Sequence, residues 1–181
     1  MFSVNTLQHP CIERQASKGD TMSILSILFI VDIIAFVVYG FVKSRMRLKI
    51  LQGASLTALI LYLVIILFIT VFSRHPVLEV RWNIIPLQDF DFGLFYGQLL
   101  PNILLFIPGG ILLDGALPKC NLIFLILIGI GISLCIEFIQ LFVHVGICDI
   151  DDLITNSLGF IFGVFPARIM IRFPMYEKIT V

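Results

Sequence analysis

The stretch "LIFLILIGIGISLCIEFIQLFV", residues 122–143, decides the fold class, because it is long and apolar enough to cross a lipid bilayer as one helix. A transmembrane helix needs about 20 mainly apolar residues. The rest of the chain has a similar character: 59% of its 181 residues are hydrophobic and 13% are charged, and the mean hydropathy is +1.07. These values exclude an ordinary soluble domain and predict an integral membrane protein.

Further apolar runs predict an all-α, polytopic bundle of about five transmembrane helices. The other runs are residues 23–42, 54–72, 99–117 and 153–171. The run at 99–117 contains Pro101 and Pro108, which a membrane helix holds where neighbouring groups bond the freed backbone. The chain then divides into a polar, irregular N-terminal tail (1–22), an extra transmembrane helix (23–42), a four-helix membrane domain (54–171) and a C-terminal tail (172–181).

The distribution of basic residues predicts the orientation in the membrane. They concentrate in three segments, with Lys43, Arg45, Arg47 and Lys49 after the first run, Lys119 after the third, and Arg168, Arg172 and Lys178 near the C-terminus. By the positive-inside rule these segments are cytoplasmic, so we expect the N-terminus outside and the C-terminus in the cytoplasm. The outer side then carries most of the acids, which would attract a cation or an amine. A solvated loop explains the loop acids equally well.

Polar side chains from three predicted helices fall at one depth near the outer side. Ionisable groups inside a membrane helix cost roughly 2.5–3.5 kcal/mol at its centre and need a partner or a purpose. Glu137 and Gln140 share one face of the fourth helix, and Asp152 and Asn156 are one turn apart on the fifth. We call the predicted site the polar cluster; its members are Asn102, Glu137, Gln140, Asp149, Asp151, Asp152 and Asn156.

Other features of the helices are interpreted as packing or remain unassigned. Gly159 and Gly163 form a G-x-x-x-G pair, which lets a second helix approach closely. Asp32 lies in the middle of the first run without a partner that the sequence identifies. Asp114, near the cytoplasmic end of the third run, is expected to reach the membrane interface. The four cysteines lack metal-ligand spacing and are expected to be unpaired.

The loop between the second and third runs, residues 73–98, mixes aromatic and charged side chains, among them Arg81, Trp82 and Asn83. Aromatic residues of this kind favour the membrane interface. We expect part of the loop either to lie on the outer leaflet as an anchor or to fold over the polar cluster. His75 and His144 are expected to be interfacial residues and not metal ligands.

Four segments in order resemble the VanZ-like family of bacterial membrane proteins. The likeness runs from about Leu56 to Phe165, so the first run lies outside it. The family's patterns are Asn-Leu-Ile-Pro, Asn-x-x-x-Phe-x-Pro-x-Gly, Glu-x-x-Gln and Asp-x-Asp-Asp-x-x-x-Asn-x-x-Gly-x-x-x-Gly. The matching segments are "RWNIIP" (81–86), "NILLFIPGGILL" (102–113), which contains Pro108, "EFIQLF" (137–142) and "CDIDDLITNSLGFIFG" (148–163). An arginine that many members carry shortly before the aspartates is missing from "HVGIC" (144–148).

The resemblance implies a multi-pass helical protein of the bacterial cell membrane. The family's founding role is low-level resistance to the glycopeptide teicoplanin, and no biochemical activity is established for the family as a whole. The resemblance therefore names a family more firmly than it names a reaction.

The first functional hypothesis is a non-enzymatic envelope protein whose polar cluster binds an amphiphilic ligand, such as a lipid-linked precursor or a lipoglycopeptide. Its partners would be membrane lipids and that ligand, with no nucleic acid and no cofactor. The alternative is an intramembrane enzyme in which Glu137 and the three aspartates hold a divalent cation against an envelope lipid. A proton-coupled carrier using Asp32 and Glu137 ranks last, and a purely structural clamp between helices also stays open.

Overall fold

A computed structural model of the chain describes residues 9–72, 82–83, 85–87, 91–143 and 148–170, with the backbone alone described at 9–20, 71–72, 82–83 and 148. Five long helices confirm the predicted all-α fold. The helices are α1 (His9–Arg45), α2 (Leu48–Phe72), the single turn α3 (Phe92–Leu94), α4 (Leu100–Ala116), α5 (Leu122–Phe142) and α6 (Ile150–Ile169). Two short strands, β1 (Trp82–Asn83) and β2 (Cys148–Asp149), pair in parallel.

Helix length and composition define a multi-pass membrane protein. Among the described residues, four helical stretches are long and apolar enough to cross a bilayer: Thr21–Arg45, Leu48–Thr70, Phe92–Ala116 and Leu122–Phe142. The fifth long helix, α6, has 20 residues but carries two aspartates in its first turn and Arg168 in its last. Much of α6 is buried between α4 and α5, so it depends less on its own hydropathy than the peripheral helices do.

The peripheral helices turn large apolar side chains outward. Phe41 on α1 is 65% exposed, Phe68 on α2 is 62% exposed, and Ile123 on α5 is 72% exposed. Apolar surface as extensive as this is rare on soluble monomers and suits contact with lipid acyl chains. The outward faces therefore agree with the membrane assignment.

Helix α4 lies at the centre of the bundle and packs against α6, α2 and α1. Its closest contact is with α6, which runs parallel to it. A Cβ atom on Gly163 would overlap the carbonyl oxygen of Ile107, and one on Gly110 would overlap the carbonyl oxygen of Phe160. Since lipid tails are as apolar as side chains, close packing of this kind is a main source of attraction between membrane helices.

Two prolines are accommodated in different ways along α4. A π-helical segment, Phe95–Leu99, joins α3 to α4, and its wide turn is closed by the Leu100 N–H donating to the Phe95 carbonyl. This wide turn lets the helix continue past Pro101, which has no N–H to donate. At Pro108 the missing donor weakens the previous turn, and the Tyr62 hydroxyl of α2 donates to the nearby Leu105 carbonyl. The Tyr62 hydroxyl thus adds a hydrogen bond within the turn that Pro108 disturbs, which suits a membrane interior.

The N-terminal region differs from its prediction as an irregular tail. Helix α1 begins at His9, so residues 9–22 continue the transmembrane helix instead of forming an irregular segment. Extending an existing helix costs far less than starting one, because each added residue gains a hydrogen bond without a new nucleus. The polar composition of this segment therefore did not prevent helix formation.

Candidate functional site

Asp152, in the first turn of α6, is the centre of the polar cluster. Its carboxylate is completely buried and accepts hydrogen bonds at Oδ1 from Asn102 Nδ2 at 2.6 Å and Gln98 Nε2 at 3.1 Å. Gln98 and Asn102 are one helical turn apart, so both amides reach the same face of α6. Two amide donors compensate part of the cost of burying this carboxylate and link the start of α4 to the start of α6.

Gln98 was missed by the sequence analysis, although a signal for it exists. Gln98 lies four residues before Asn102. The two side chains share one face if the helix already includes Gln98. The apolar run begins at residue 99, but α3 and the π-helical segment extend the helical stretch back to Phe92. Asp91 caps its start by accepting from the Leu94 N–H at 2.6 Å. An N-cap search upstream of the apolar run would have found Gln98.

The other two aspartates have separate local partners. Asp149 is the N-cap of α6 and its Oδ1 accepts from the Asp151 N–H at 3.0 Å. Asp151 is 4% exposed and accepts from the Leu87 N–H, at 2.9 Å to Oδ1 and 3.2 Å to Oδ2. Acidic side chains at a helix start also interact favourably with the helix dipole. Part of this acidic run therefore has a structural role: Asp149 caps the start of α6, and Asp151 holds the loop at Leu87.

The loop segment that precedes α3 docks directly on the start of α6. Trp82 pairs with Cys148 and Asn83 with Asp149 in the parallel β1–β2 ladder, and the Leu87 N–H bonds to Asp151. The loop was expected either to lie on the outer leaflet or to fold over the polar cluster, and these bonds agree with the second expectation. Arg81 lies outside the described residues, and at Trp82 and Asn83 the backbone alone is described.

The bond from Leu87 to Asp151 predicts how the loop responds to substitution. Leu87 has a positive φ of 55°, a conformation that costs a non-glycine residue roughly 1–2 kcal/mol. Leu87→Pro removes the N–H and cannot adopt that φ, so we expect the loop to detach and become cleavable in limited proteolysis. Leu87→Gly keeps the N–H and relieves the strain, so it should remain as protected as wild type. Equal cleavage of the two variants would contradict this docking.

Helix α5 contributes Glu137 and Gln140 to the same end of the bundle. They are 2% and 3% exposed and share a face with Ser133, whose hydroxyl donates to the Leu153 carbonyl of α6 at 3.3 Å. The two helices are antiparallel, so one turn further along α5 corresponds to one turn back along α6. Glu137 therefore lies at the level of Asp149. Three helices therefore supply polar side chains to one end of the bundle, which we call the cluster end.

Two amide oxygens of the cluster are buried and accept no hydrogen bond from the described residues. They are Asn156 Oδ1 and Gln140 Oε1. Asn156 is 4% exposed and lies one turn beyond Asp152 on α6, on the stripe that faces α4. Leaving a buried acceptor unsatisfied costs about 1–3 kcal/mol. The cluster therefore offers acceptor oxygens in excess of its own donors.

The aspartates do not converge as metal ligands. Within the described ranges there is no group of three or more His, Cys, Asp and Glu side chains placed to hold an ion. The three aspartates instead bond to a helix start, a loop N–H and two amides. His75 and His144 lie outside the described residues.

A second buried polar group lies at the opposite end of the bundle, where α4 and α6 terminate; we call this the basic end. Asp114 is 1% exposed and receives the Tyr39 hydroxyl at 2.7 Å and Lys43 Nζ at 3.1 Å, both from α1. Arg168 Nε of α6 lies 2.7 Å from its other oxygen. The sequence identified no partner for Asp114, whereas the structure buries its carboxylate among two cations and a phenol.

The remaining sequence predictions concern Asp32 and the cysteines. Asp32 is buried on the face of α1 that also carries Leu25 and Tyr39, and its Oδ2 has no donor within the part of the chain that the structure describes. Cys120 and Cys135 are free thiols, as expected. The side chains of Cys11 and Cys148 lie outside the described part.

Taken together, the fold and the cluster define a polytopic helical membrane protein that buries carboxylates and amides at one end of its bundle. The VanZ/LLP1 family profile matches residues 29–171. The chain therefore belongs to the VanZ/LLP1 family.

The match extends further than the motifs alone indicated. It begins within α1, so most of the first transmembrane helix, which the motifs left outside the likeness, falls inside the matched range. The chain is 30% identical over 116 residues to "Protein VanZ" of Enterococcus faecium, covering 59% of this chain and 68% of that protein. No solved structure gives a significant match.

Proposed function

We propose that the polar cluster binds an amphiphilic ligand of the cell envelope, such as a lipid-linked precursor or a lipoglycopeptide, without chemical conversion. The surplus of buried acceptors at Asn156 Oδ1 and Gln140 Oε1 carries this proposal. An ammonium, hydroxyl or amide N–H on the ligand would supply the missing donors, and the neighbouring carboxylates would favour a positively charged one.

A purely structural clamp accounts less well for the cluster. The α4–α6 interface is already held by close glycine contacts at Gly110, Gly159 and Gly163. Interhelical polar contacts in membranes average only about 0.6 kcal/mol, which is less than the cost of about 1–3 kcal/mol for each unsatisfied buried acceptor. A clamp alone gives no reason to keep such acceptors.

The loop segment that contains Ile85 and Leu87 favours an amphiphilic ligand over a purely polar one. Ile85 and Leu87 are 55% and 51% exposed and lie on the segment that is tied over the start of α6 by the Leu87–Asp151 bond. Apolar side chains beside a polar cluster suit a ligand that has both a polar group and an acyl chain. In the proposed orientation, with the N-terminus outside and the C-terminus in the cytoplasm, this end faces the outside.

For a lipoglycopeptide the proposed outcome is low-level teicoplanin resistance, by analogy with the role known in the family. The matched relative is a VanZ protein. The intramembrane metal-dependent enzyme gains no support from the described geometry, because the aspartates bond to separate partners. No observation favours it as a second candidate.

Charge-removing substitutions in the cluster test the proposal. In a deletion strain, we expect wild-type protein to restore teicoplanin tolerance, and Asp152→Asn or Glu137→Gln to lose at least three-quarters of that gain. The variants keep the side-chain shape but remove the negative charge that would hold the ligand's donors. The measurements are the minimum inhibitory concentration of teicoplanin and the amount of protein inserted in the membrane.

The control is Asp91→Asn, which removes one charge from an exposed helix cap near the cluster end and should complement fully. A glycopeptide without an acyl chain serves as the comparison drug. Full activity of both cluster variants at normal expression would exclude a binding role for the carboxylates. If neither variant inserts stably, the structural clamp is the better interpretation.

A further inference from the structure

Arg168, in the last turn of α6, is only partly satisfied by the protein. Its Nε pairs with Asp114 at 2.7 Å and its Nη1 donates to the Pro118 carbonyl at 3.0 Å. Its Nη2 is buried and has no acceptor anywhere in the described part of the chain. A guanidinium carries five N–H donors in a planar fork, so Arg168 retains donors that the protein does not use.

The surrounding charges do not balance. Asp114 pairs with both Lys43 and Arg168, whose side chains are 11% and 29% exposed. Among the described residues, Asp114 is the one acid at the basic end. One carboxylate therefore faces two partly buried cations, which leaves an excess positive charge where water cannot fully solvate it. Such a charge is stabilised by a further anion.

A second cation follows directly after the residue that Arg168 binds. The hydrogen bond to Pro118 holds the α4–α5 link against the end of α6, and the next residue, Lys119, is exposed. Beside this position α6 presents Phe165 and Ile169, which are 53% and 62% exposed. Cationic groups thus adjoin an apolar surface at the end of a membrane helix.

We propose that Arg168 and Lys119 bind the phosphate of an anionic phospholipid, whose acyl chains lie along Phe165 and Ile169. A phosphate oxygen accepts from the guanidinium of Arg168, whose side chain is 29% exposed, and a second oxygen faces Lys119 Nζ. A lipid fits better than free phosphate because the apolar surface continues from the cationic groups into the membrane. The surface potential of anionic lipids also favours basic side chains at this depth.

Thermal unfolding in lipid nanodiscs tests the site. The full-length protein is placed in nanodiscs of phosphatidylcholine alone or mixed with phosphatidylglycerol, and the unfolding midpoint is measured for wild type and variants. We expect phosphatidylglycerol to raise the wild-type midpoint, and Lys119→Gln and Arg168→Gln to lose at least half of that increase. Arg47→Gln removes an exposed positive charge from the α1–α2 link at the same end and should keep the full increase.

The outcomes separate a specific site from general attraction. If Lys119→Gln and Arg47→Gln lose equal amounts, the effect is unspecific surface charge and the site is wrong. If inorganic phosphate in detergent stabilises wild type as much as the lipid does, the occupant is free phosphate and the lipid assignment is overturned. Should Arg168→Gln fail to fold, the test stands on Lys119→Gln, since Lys119 is exposed and its loss leaves the Asp114 pairs intact.

Discussion

Replacing Asp114 with asparagine is expected to lower the free energy of unfolding by about 3–5 kcal/mol, the range typical for breaking a buried ion pair. The substitution leaves Lys43 and Arg168 without the carboxylate that both contact. It also weakens the attachment of α1, because Tyr39 and Lys43 reach the bundle core through this side chain. The measurement is equilibrium unfolding of purified protein in mixed micelles.

Removing one of the two cations should partly restore the stability lost in Asp114→Asn. Lys43→Met removes one of the two unpaired cations, so Asp114→Asn with Lys43→Met should be more stable than Asp114→Asn alone. Asp91→Asn is the matched control because the same chemical change is made at an exposed helix cap, where we expect a change below about 0.5 kcal/mol. A loss of similar size at Asp91 and Asp114 would show that the buried pairs are not the cause.

Gly163→Ala is expected to destabilise the protein by about 3 kcal/mol or more. The new Cβ would overlap the Ile107 carbonyl oxygen and approach Gly110 Cα to 2.9 Å. Overpacking a core typically costs about 1–3 kcal/mol, and here the obstructing atoms belong to backbone that cannot rotate away. Helices α4 and α6 would have to separate, which also stretches the Asn102–Asp152 bond. Unfolding in mixed micelles measures the loss.

Gly131→Ala is the matched control within the same bundle. A Cβ on Gly131 would meet nothing within 4 Å, and alanine favours a helix over glycine by roughly 1 kcal/mol. We therefore expect this variant to be as stable as wild type or slightly more stable. If Gly131→Ala and Gly163→Ala lose stability equally, the α4–α6 contact is not the determinant.

The transmembrane helices were largely predictable from local composition. The run at residues 122–143 corresponds to α5, Leu122–Phe142, because hydropathy is summed over consecutive residues. The start of the third run was predicted less accurately, because the helical stretch that leads into α4 begins at Phe92 and not at residue 99. There the Asp91 cap and the π-helical turn set the start, and the turn absorbs the effect of Pro101.

The candidate site was predictable within each helix but not between helices. Spacing placed Glu137 with Gln140, and Asp152 with Asn156, on common faces. It did not reveal that Gln98 shares Asp152 with Asn102, or that the Leu87 N–H bonds to Asp151. These partners lie fifty or more residues apart in sequence, so periodicity carries no information about their meeting.

The sequence by itself determined the membrane class, the approximate spans and the residues that carry polarity into apolar helices, because these depend on composition and on helical periodicity. The tertiary structure alone decided which polar groups meet. Asp114 shows the difference, since its sequence position identified no partner for it, whereas packing brings Lys43 and Arg168 to it. The rotation and register of neighbouring helices are set by close contacts such as Gly163 against Ile107, and no local pattern encodes them.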